Sequence, residues 1–294
     1  MNLDDFEENI TQYCRREEGE QVDDLQCAGL RILQKKGTFR YGTDAVLLAN
    51  YAAGAIKSSV RLLKRLRSPG KTESTGAVRV VDVGTGTGII PVLMYGKLNA
   101  EEGIDPEGAN YTAVEIQAEA CELLNQSVRL NDLAGNLTVL NADLKNLRGS
   151  LPFGAFDLVA CNPPYKLSGT GVPNPGDKKL LARHETACTL DDICAAAAGL
   201  LQFGGRFCIC QRPERLPDVM ESMRRSDIEP KTLRLVQQRR DKAPKLFLLE
   251  GRKGGKRGYM ETLPTLFIED ETGDFSEEMR EIYGNYKSDH EETI

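Results

Sequence analysis

The sequence contains few of the side chains that metal and acid-base sites commonly use. Its 294 residues include no tryptophan and only two histidines, His184 and His290. The eight cysteines are scattered, and none forms a Cys-x-x-Cys pair or a Cys/His cluster at zinc-ligand spacing. These absences predict no metal site and disfavour a mechanism that needs several imidazoles. Most cysteines lie in apolar segments, which predicts reduced, mainly buried thiols in a cytosolic protein.

Long apolar runs are also lacking. No run approaches the length that spans a membrane, and the N-terminus lacks the basic head and apolar stretch of a signal peptide. The sequence therefore predicts a soluble, cytoplasmic protein with no membrane partner. The length suits one large α/β domain with tails. We predict an acidic extension over residues 1–29, a domain over 30–268 and an acidic tail over 269–294.

Charge is distributed unevenly along the chain. The net charge is -6, but residues 1–26 carry -7 and residues 269–294 carry -8, which leaves +9 on the middle of the chain. A basic body with acidic ends is suited to attract phosphates. The alternative interpretation is two solvated acidic tails on a surface of ordinary charge density.

From residue 78 onward, apolar segments alternate between strand and helix patterns, and the region 30–76 supplies a strand, a helix and a basic insertion. This alternation predicts a mostly parallel sheet with helices on both faces. Strands are predicted at 30–34, 78–83, 111–116, 137–140, 156–161 and 206–211, and helices at 43–53, 89–98, 117–130 and 190–201. Three further strands, 233–236, 245–250 and 262–268, follow one another, and the last two are predicted to pair antiparallel.

A glycine-rich turn follows the first core strand. The chain reads Asp82-Val83-Gly84-Thr85-Gly86-Thr87-Gly88 and then enters a helix. The spacing is neither that of dinucleotide folds nor that of a P-loop, so a phosphate site is not the preferred interpretation. Glu115 ends the second strand, where an acid can accept both hydroxyls of a ribose, and Asp143 follows the third, where it can accept from an adenine amine.

This combination fits an adenosine ligand without phosphates, and S-adenosylmethionine matches that outline. The predicted cofactor residues in this region are Asp82, Gly84, Thr85, Gly86, Gly88, Glu115 and Asp143. Two structural interpretations remain open: the glycines form only a tight strand-to-helix turn, and Asp143 only caps a helix.

The tetrapeptide Asn162-Pro163-Pro164-Tyr165 ends the strand predicted at 156–161. An amide oxygen and a neighbouring main-chain carbonyl can accept the two hydrogens of an NH2 group, and an aromatic ring can stack on the plane that carries the group. We therefore predict Asn162, Pro163 and Tyr165 as catalytic residues, with Asn162 also beside the cofactor and Tyr165 beside the substrate. The alternatives are an Asx-turn at Asn162 and a packed loop aromatic at Tyr165.

A second basic region covers residues 231–257, which hold ten bases against Asp241 and Glu250. Such a segment near a sheet edge suits phosphate contacts, and Arg252, Lys253 and Lys256 are the predicted substrate-binding bases. The alternative is a solvated hairpin.

Together these residues resemble Rossmann-type methyltransferases that methylate amines and, more closely, the bacterial tRNA1(Val) adenine-37 N6-methyltransferase family. The resemblance covers residues 30–286 and includes Phe-Arg-Tyr-Gly-Thr-Asp-Ala-Val-Leu-Leu at 39–48, Ala-Arg-His-Glu at 182–185 and Phe-Leu-Leu-Glu-Gly-Arg-Lys-Gly-Gly at 247–255. It implies a Rossmann-like class I fold, a mostly parallel seven-stranded sheet with an antiparallel C-terminal strand. The insertion at 55–76, the long turn at 100–110 and the acidic ends depart from the family.

The resemblance also implies roles for individual residues. Gly42, Thr43 and Asp44 would lie against the amino-acid end of S-adenosylmethionine, although Thr43 or Asp44 could instead only cap the following helix. Arg183 and His184 would face the target nucleotide, or form a surface ion pair with Glu185. The implied activity is methyl transfer to N6 of an adenine in RNA, adenosine 37 of a tRNA. The sequence does not determine the oligomeric state, for which a monomer is the expectation.

Two other functions remain open at this stage. A glutamine amide of a protein is also planar and suits Asn-Pro-Pro-Tyr, although such N5-glutamine methyltransferases usually carry an N-terminal helical domain that residues 1–76 hardly supply. The other possible function is that of a non-catalytic RNA-binding protein with the same fold. Such a protein is expected to have lost the site residues, whereas Asp82, the glycines, Glu115 and Asn162 are all present.

Overall fold

The computed structural model describes residues 19–35, 41–59, 76–165 and 188–284, together with the helical positions 62, 64 and 67. Its strands are β1 (Glu20–Asp24), β2 (Arg31–Lys35), β3 (Val78–Val83), β4 (Ala109–Glu115), β5 (Leu137–Asn141), β6 (Phe156–Cys161), β7 (Leu201–Gln211), β8 (Ile228–Gln237), β9 (Pro244–Lys253), β10 (Glu261–Thr262) and β11 (Leu266–Phe267). Its helices are α1 (Thr43–Lys57), α2 (Ile89–Asn99), α3 (Ala118–Leu130), α4 (Leu190–Leu200), α5 (Leu216–Arg225) and α6 (Glu277–Tyr283). Three short 3-10 turns lie at Pro106–Gly108, Leu144–Asn146 and Pro213–Arg215.

The main sheet has the order β8-β9-β7-β6-β3-β4-β5 across its seven long strands. Pairs among β3 to β7 are parallel, and β9 is antiparallel to both β7 and β8. The predicted Rossmann-like class I fold is therefore confirmed, including the antiparallel strand near the C-terminus. The order reverses between β3 and β6, which creates a crevice at the ends of these strands.

Helices cover both faces of this sheet because successive strand residues point to opposite sides. In β3, Val78 and Val80 pack with α1, α2 and α6, whereas Val81 and Val83 pack with α4 and α5. Every residue of β6 is buried. Strands buried on both faces read as continuous apolar runs, which is why their positions are visible in the sequence.

The prediction for residues 262–268 is wrong in its pairing. They form β10 and β11, two-residue strands that pair parallel with the outer edge of β8. Strand β9 offers no edge because β7 and β8 occupy both sides. Pro264, which has no N–H to donate, lies between the two short strands and interrupts the pairing.

Parts of both acidic ends belong to the folded unit. β1 and β2 form a separate antiparallel pair, and β2 packs near α3, where Leu33 N donates to Ser127 Oγ at 2.9 Å. Helix α6 buries Met279 and Ile282 against the core that contains α1 and α2. The acidic segment predicted as a tail over 269–294 thus contributes a packed helix before residue 285.

Within the described ranges, no helix is both long and apolar enough to cross a membrane. The same part of the chain contains no group of three or more histidine, cysteine or acidic side chains that could hold a metal ion. Its seven cysteines are free thiols, five of them buried.

Candidate active site

The predicted cofactor and catalytic residues gather at one edge of the sheet, where β3, β4, β5, β6 and β7 end. We call this the carboxyl edge. The carboxyl ends of parallel strands lie side by side. The glycine loop, the acids Glu115 and Asp143 and the tetrapeptide Asn-Pro-Pro-Tyr therefore meet at this edge. The start of α1 joins them: Asn162, after β6, contacts Asp44 in the first turn of α1.

The glycine loop makes a tight turn from β3 into α2. Gly84, Gly86 and Gly88 have φ values of 72°, 58° and 84°, which disfavour residues with a side chain. A Cβ on Gly88 would lie 2.2 Å from Leu124 Cδ1, so α3 packs directly on the loop. A Cβ on Gly84 would meet nothing within 4 Å, so open space lies there. The loop therefore combines a packed rear side with open space above Gly84.

Asp82 and Thr85 support this loop from inside. Asp82 is buried, its Oδ2 accepts a hydrogen bond from Thr85 Oγ1 at 2.5 Å, and its Oδ1 has no partner among the described residues. Burial raises the pKa of Asp82 to about 7, opposed by the Thr85 hydrogen bond and reinforced by the nearby charge of Glu115. Thr85 is also buried, so its hydroxyl holds the turn together.

Glu115 connects the glycine loop to the end of β4. Its Oε2 accepts from Gly86 N at 2.9 Å, and its Oε1 accepts from Gln117 N at 2.9 Å. Gln117 Nε2 also donates to Oε1, at 3.4 Å. Since a carboxylate oxygen accepts about two hydrogen bonds, Oε2 is the oxygen that retains capacity for a ligand donor. The main-chain bonds fix the orientation of the carboxylate at the edge where the ribose was predicted.

Asp143 lies after β5 on the same edge, and its side chain caps the following 3-10 turn. Its Oδ1 accepts from Lys145 N at 2.9 Å, and Lys145 Nζ lies 3.9 Å from its Oδ2. The capping alternative raised from the sequence is therefore present in the structure. Contact with an adenine stays a prediction.

Asn162, Tyr165 and Asp44 form a hydrogen-bonded cluster. Asn162 Nδ2 donates to Asp44 Oδ2 at 2.9 Å, and the Tyr165 hydroxyl donates to the same carboxylate oxygen. The Tyr165 hydroxyl also lies 3.1 Å from Asn162 Oδ1. Asp44 thus binds the Asn162 amide through its nitrogen, while Asn162 Oδ1 faces the Tyr165 hydroxyl and keeps a second lone pair for another donor. The N-cap of α1 is Gly42 and no side chain caps the helix, so Thr43 and Asp44 are not capping residues.

The tetrapeptide also leaves a main-chain acceptor available. Within the described part of the chain, no donor bonds to the carbonyl oxygen of Pro163, while that of Pro164 accepts from Gln211 Nε2 at 3.4 Å. Tyr165 is half-buried, and burial, with Cys210 and Asp44 beside it, raises the pKa of its hydroxyl. Tyr165 therefore remains a neutral donor at physiological pH.

Arg212 is a neighbour that the sequence interpretation missed. It directly follows β7, is exposed, and places its guanidinium carbon 5.7 Å from the centre of the Tyr165 ring. Its position after a strand parallel to β6 was the available signal, because such residues lie at the same edge.

The remaining predicted substrate residues do not join this cluster. Arg183 and His184 lie outside the described residues. Arg252 pairs in register with Arg206, and Lys253 with Ile228, at the opposite edge of the sheet from Asn162. Lys256 follows in the turn beyond, and Lys253 forms an ion pair with Asp227 at 3.3 Å. The reason is that β9 runs antiparallel, so its C-terminal end points away from the carboxyl edge.

The site has features that fit S-adenosylmethionine. The open space above Gly84 accommodates a ligand at the loop, and the buried Asp82 Oδ1 without a partner leaves an acceptor beneath it. The carboxylates of Glu115 and Asp143 follow on the neighbouring strands. No phosphate-binding lysine follows the glycine loop.

Comparison with known proteins agrees with this arrangement. Residues 57–225, more than half of the chain, match the methyltransferase small domain family. The tRNA1(Val) (adenine(37)-N6)-methyltransferase of Flavobacteriaceae bacterium strain 3519-10 is 27% identical over 181 residues, 60% of this chain and 62% of that protein. The protein of the same name from Pedobacter heparinus is 30% identical over 168 residues, 57% of this chain and 58% of that protein. The chain thus spans less than two thirds of the length of these relatives.

A solved structure described as a predicted O-methyltransferase from Agrobacterium tumefaciens has the same fold. Its TM-score is 0.55 at 21% sequence identity, with coverage of 76% of this chain and 94% of that one. The resemblance drawn from the sequence motifs is confirmed by the family match and by these relatives. With its glycine loop and Asn-Pro-Pro-Tyr at one edge of a class I methyltransferase sheet, the chain belongs to the methyltransferase small domain family.

Proposed function

We propose that this methyltransferase transfers a methyl group from S-adenosylmethionine to N6 of an adenine in RNA, at adenosine 37 of a tRNA. The observation that carries the proposal is the orientation of Asn162. Its amide nitrogen is bound to Asp44 Oδ2, and its Oδ1, which faces the Tyr165 hydroxyl at 3.1 Å, keeps a lone pair that can accept from the substrate amine. Pro163 supplies the second acceptor, its carbonyl oxygen.

These two oxygens suit the exocyclic amine of adenine. That nitrogen is a poor nucleophile because its lone pair is delocalised into the ring. Hydrogen bonds from its two N–H groups to Asn162 Oδ1 and Pro163 O favour a more tetrahedral nitrogen. The same bonds stabilise the positive charge that develops on it as the new N–C bond forms and the bond from the methyl carbon to the sulfonium sulfur breaks, which leaves a neutral thioether. The proton then leaves to water, so no histidine or other general base is required.

The cofactor would lie between the glycine loop and the start of α1. When bound, S-adenosylmethionine supplies a methyl group on a positively charged sulfur. Gly84 leaves room for the ligand, Gly86 and Gly88 shape the turn that holds it, Glu115 accepts from ribose hydroxyls, and Asp143 lies at the position proposed for the base. Gly42 and Thr43 would meet its amino-acid end.

Asp44 would connect the cofactor to the amine site. Its Oδ2 holds Asn162 and Tyr165, whereas its Oδ1 accepts no hydrogen bond within the described residues and can accept from the ammonium of the cofactor. A Cβ on Gly42 would lie 2.6 Å from Asp44 Oδ1, so a larger residue there would have to displace this carboxylate oxygen. One carboxylate thus orients both reaction partners.

Two observations support RNA as the substrate that carries the amine. The middle of the chain carries +9, and Arg212 lies over Tyr165 at the site itself. The relatives named above are tRNA adenine-37 methyltransferases, which supports the position. An adenine in a single-stranded loop can be turned outward at modest cost and stacked on Tyr165.

The test uses S-adenosylmethionine with a radiolabelled methyl group, unmodified total tRNA and, separately, a cellular protein fraction. We expect label in RNA, recovered as N6-methyladenosine and mapped to position 37. Label in protein alone would support a glutamine acceptor. Tight RNA binding without label in either fraction would support the non-catalytic alternative.

A substitution at Asp44 tests its positioning role. Asp44→Asn replaces an acceptor with a group that also carries an NH2, so Asn162 loses its fixed orientation. Because small misplacements of reacting groups cost up to about 100-fold, we expect kcat at saturating cofactor to fall about 10- to 100-fold. Tyr165→Phe, which keeps the ring but removes one donor to Asp44, is expected to lose less. A rise in KM for the cofactor with unchanged kcat would restrict Asp44 to cofactor binding.

A further inference from the structure

The turn between β8 and β9 lies at the carboxyl edge. We call residues 238–245, which comprise this turn and the first two residues of β9, the basic turn. Gln237 pairs with Pro244 across its base, and Phe247 in β9 pairs with Gln211, the last residue of β7. The basic region 231–257 is therefore divided: its Arg252 and Lys253 end lies at the opposite edge, and the basic turn lies on the side of the active site.

Four exposed bases are concentrated in the basic turn. They are Arg239, Arg240, Lys242 and Lys245. Asp241 is the single acid among these residues, 3.6 Å from Arg239 and 3.2 Å from Lys242. Glu269 lies 3.8 Å from Arg239. Within the ranges that the structure describes, neither Arg240 nor Lys245 lies at ion-pair distance from a carboxylate, so the turn keeps an excess of positive charge.

The basic turn is held in place by neighbouring groups. Gln237 Nε2 donates to Lys242 O, and Gln238 Nε2 donates to Glu269 Oε1. Lys242 N donates to Arg239 O at 3.1 Å, and the Arg240 guanidinium lies 5.4 Å from the centre of the Phe267 ring. Bases on a preformed turn lose less conformational entropy on binding than bases on a loose loop.

The basic turn and the amine site share one side of the molecule. Strands β6, β7, β9 and β8 are consecutive neighbours, so the turn lies two to three strand spacings, roughly 10–15 Å, sideways from Asn-Pro-Pro-Tyr. Arg212 lies between them, next to Tyr165. With one phosphate per about 3.4 Å of a stacked strand, this distance corresponds to about three to five nucleotides.

We propose that the basic turn, together with Arg212, binds the phosphates of a structured RNA on the β7 side of the nucleotide presented to Tyr165. This inference rests on the proposed function and commits to RNA as the partner. It also assigns the main RNA contact to Arg239, Lys242 and Lys245. The sequence had predicted Arg252, Lys253 and Lys256 in that role. Contacts of this kind position the RNA without reading its sequence.

The test compares three multiple variants with the unaltered protein. The first is Arg239→Gln, Lys242→Gln, Lys245→Gln, which keeps Arg240 because it packs on Phe267. The matched control is Arg79→Gln, Arg129→Gln, Arg257→Gln, which removes three exposed arginines that form no ion pair among the described residues: Arg79 near the amino end of β3, Arg129 in the last turn of α3 and Arg257 beyond the end of β9. The third, Lys253→Gln, Lys256→Gln, alters the opposite edge. Binding of unmodified tRNA is measured between about 50 and 200 mM salt.

We expect the basic-turn variant to bind tRNA at least tenfold more weakly, with the slope of log K against log salt reduced by about 2 to 3. KM for tRNA rises while kcat at saturating tRNA changes little. Cofactor affinity and the urea midpoint, measured in parallel, show that the variant is folded. The other two variants are expected to lose much less affinity.

Unchanged tRNA binding by the folded basic-turn variant overturns the inference, as does an equal loss in the matched control or a larger loss in the Lys253, Lys256 variant. If the unaltered protein methylates RNA in these cases, the proposed function still holds. If the unaltered protein neither binds nor methylates RNA and instead labels an acidic protein, both proposals fail.

Discussion

Replacing Asn162 by alanine is expected to reduce methyl transfer about 100- to 1000-fold, while S-adenosylmethionine still binds. Alanine removes the oxygen that would accept from the substrate amine as charge develops, and loss of one such preorganised group typically costs this much in kcat. It also leaves Asp44 Oδ2 without its 2.9 Å donor, although the Tyr165 hydroxyl remains. Single-turnover methylation of tRNA and equilibrium binding of the cofactor measure the two effects separately.

Two further variants sharpen this test. Asn162→Asp keeps an oxygen but puts a second carboxylate at hydrogen-bond distance from Asp44, so repulsion should displace it and activity should also be lost. Asn110→Ala removes an exposed asparagine near the amino end of β4 and should leave activity intact. Retention of more than a tenth of the activity in Asn162→Ala would contradict the proposed role of this amide.

The second large effect concerns the pH dependence of stability and arises from Asp82. Burial raises the pKa of Asp82 from its ordinary value of 3.8 to about 7, so the folded state holds a proton that the unfolded chain releases. The stabilising contribution of Asp82 to the free energy of unfolding is therefore fully present below about pH 4 and is lost as pH rises through 7. The shift corresponds to about 4 kcal/mol of unfolding free energy across this interval.

Asp82→Asn isolates this contribution. Its amide oxygen can still accept from Thr85, but it has no charge to desolvate. Urea unfolding is measured without cofactor and with a reducing agent. The free energy of unfolding of the variant, relative to that of the unaltered protein, should rise by roughly 2–3 kcal/mol from pH 5 to pH 8. The matched control, Asp132→Asn, changes an acid that lies outside the loop and should follow the unaltered protein. Parallel pH profiles for the Asp82 variant and the unaltered protein would show that Asp82 is ionised in the fold.

The parallel core and much of the site could be predicted from the sequence. Strand β3 and strand β6 have the predicted bounds, because strands buried on both faces carry continuous apolar runs. The glycine loop was visible because positive φ values require glycine at Gly84, Gly86 and Gly88. Parallel strands ending in a loop, an acid and Asn-Pro-Pro-Tyr then predicted that these groups meet at one edge.

The pairing of the C-terminal strands was harder to predict, and it decides where the basic residues proposed to bind the substrate lie. Local sequence does not determine which neighbour a strand pairs with. Residues 262–268 were therefore predicted to pair with β9, whereas they pair with β8. The direction of β9 decides that Arg252 and Lys253 lie at one edge and the basic turn at the other. In the sequence these bases form a single cluster.

By itself, the sequence determined the methyltransferase fold, the glycine loop and the position of Asn-Pro-Pro-Tyr at the end of a strand, since each depends on residues that are adjacent in the chain. Only the tertiary structure decided that Asp44 orients Asn162 and Tyr165, more than 100 residues away, and that Arg212 lies over the Tyr165 ring. Such contacts depend on strand order and direction. These arise from the packing of the whole sheet and are encoded in no single segment.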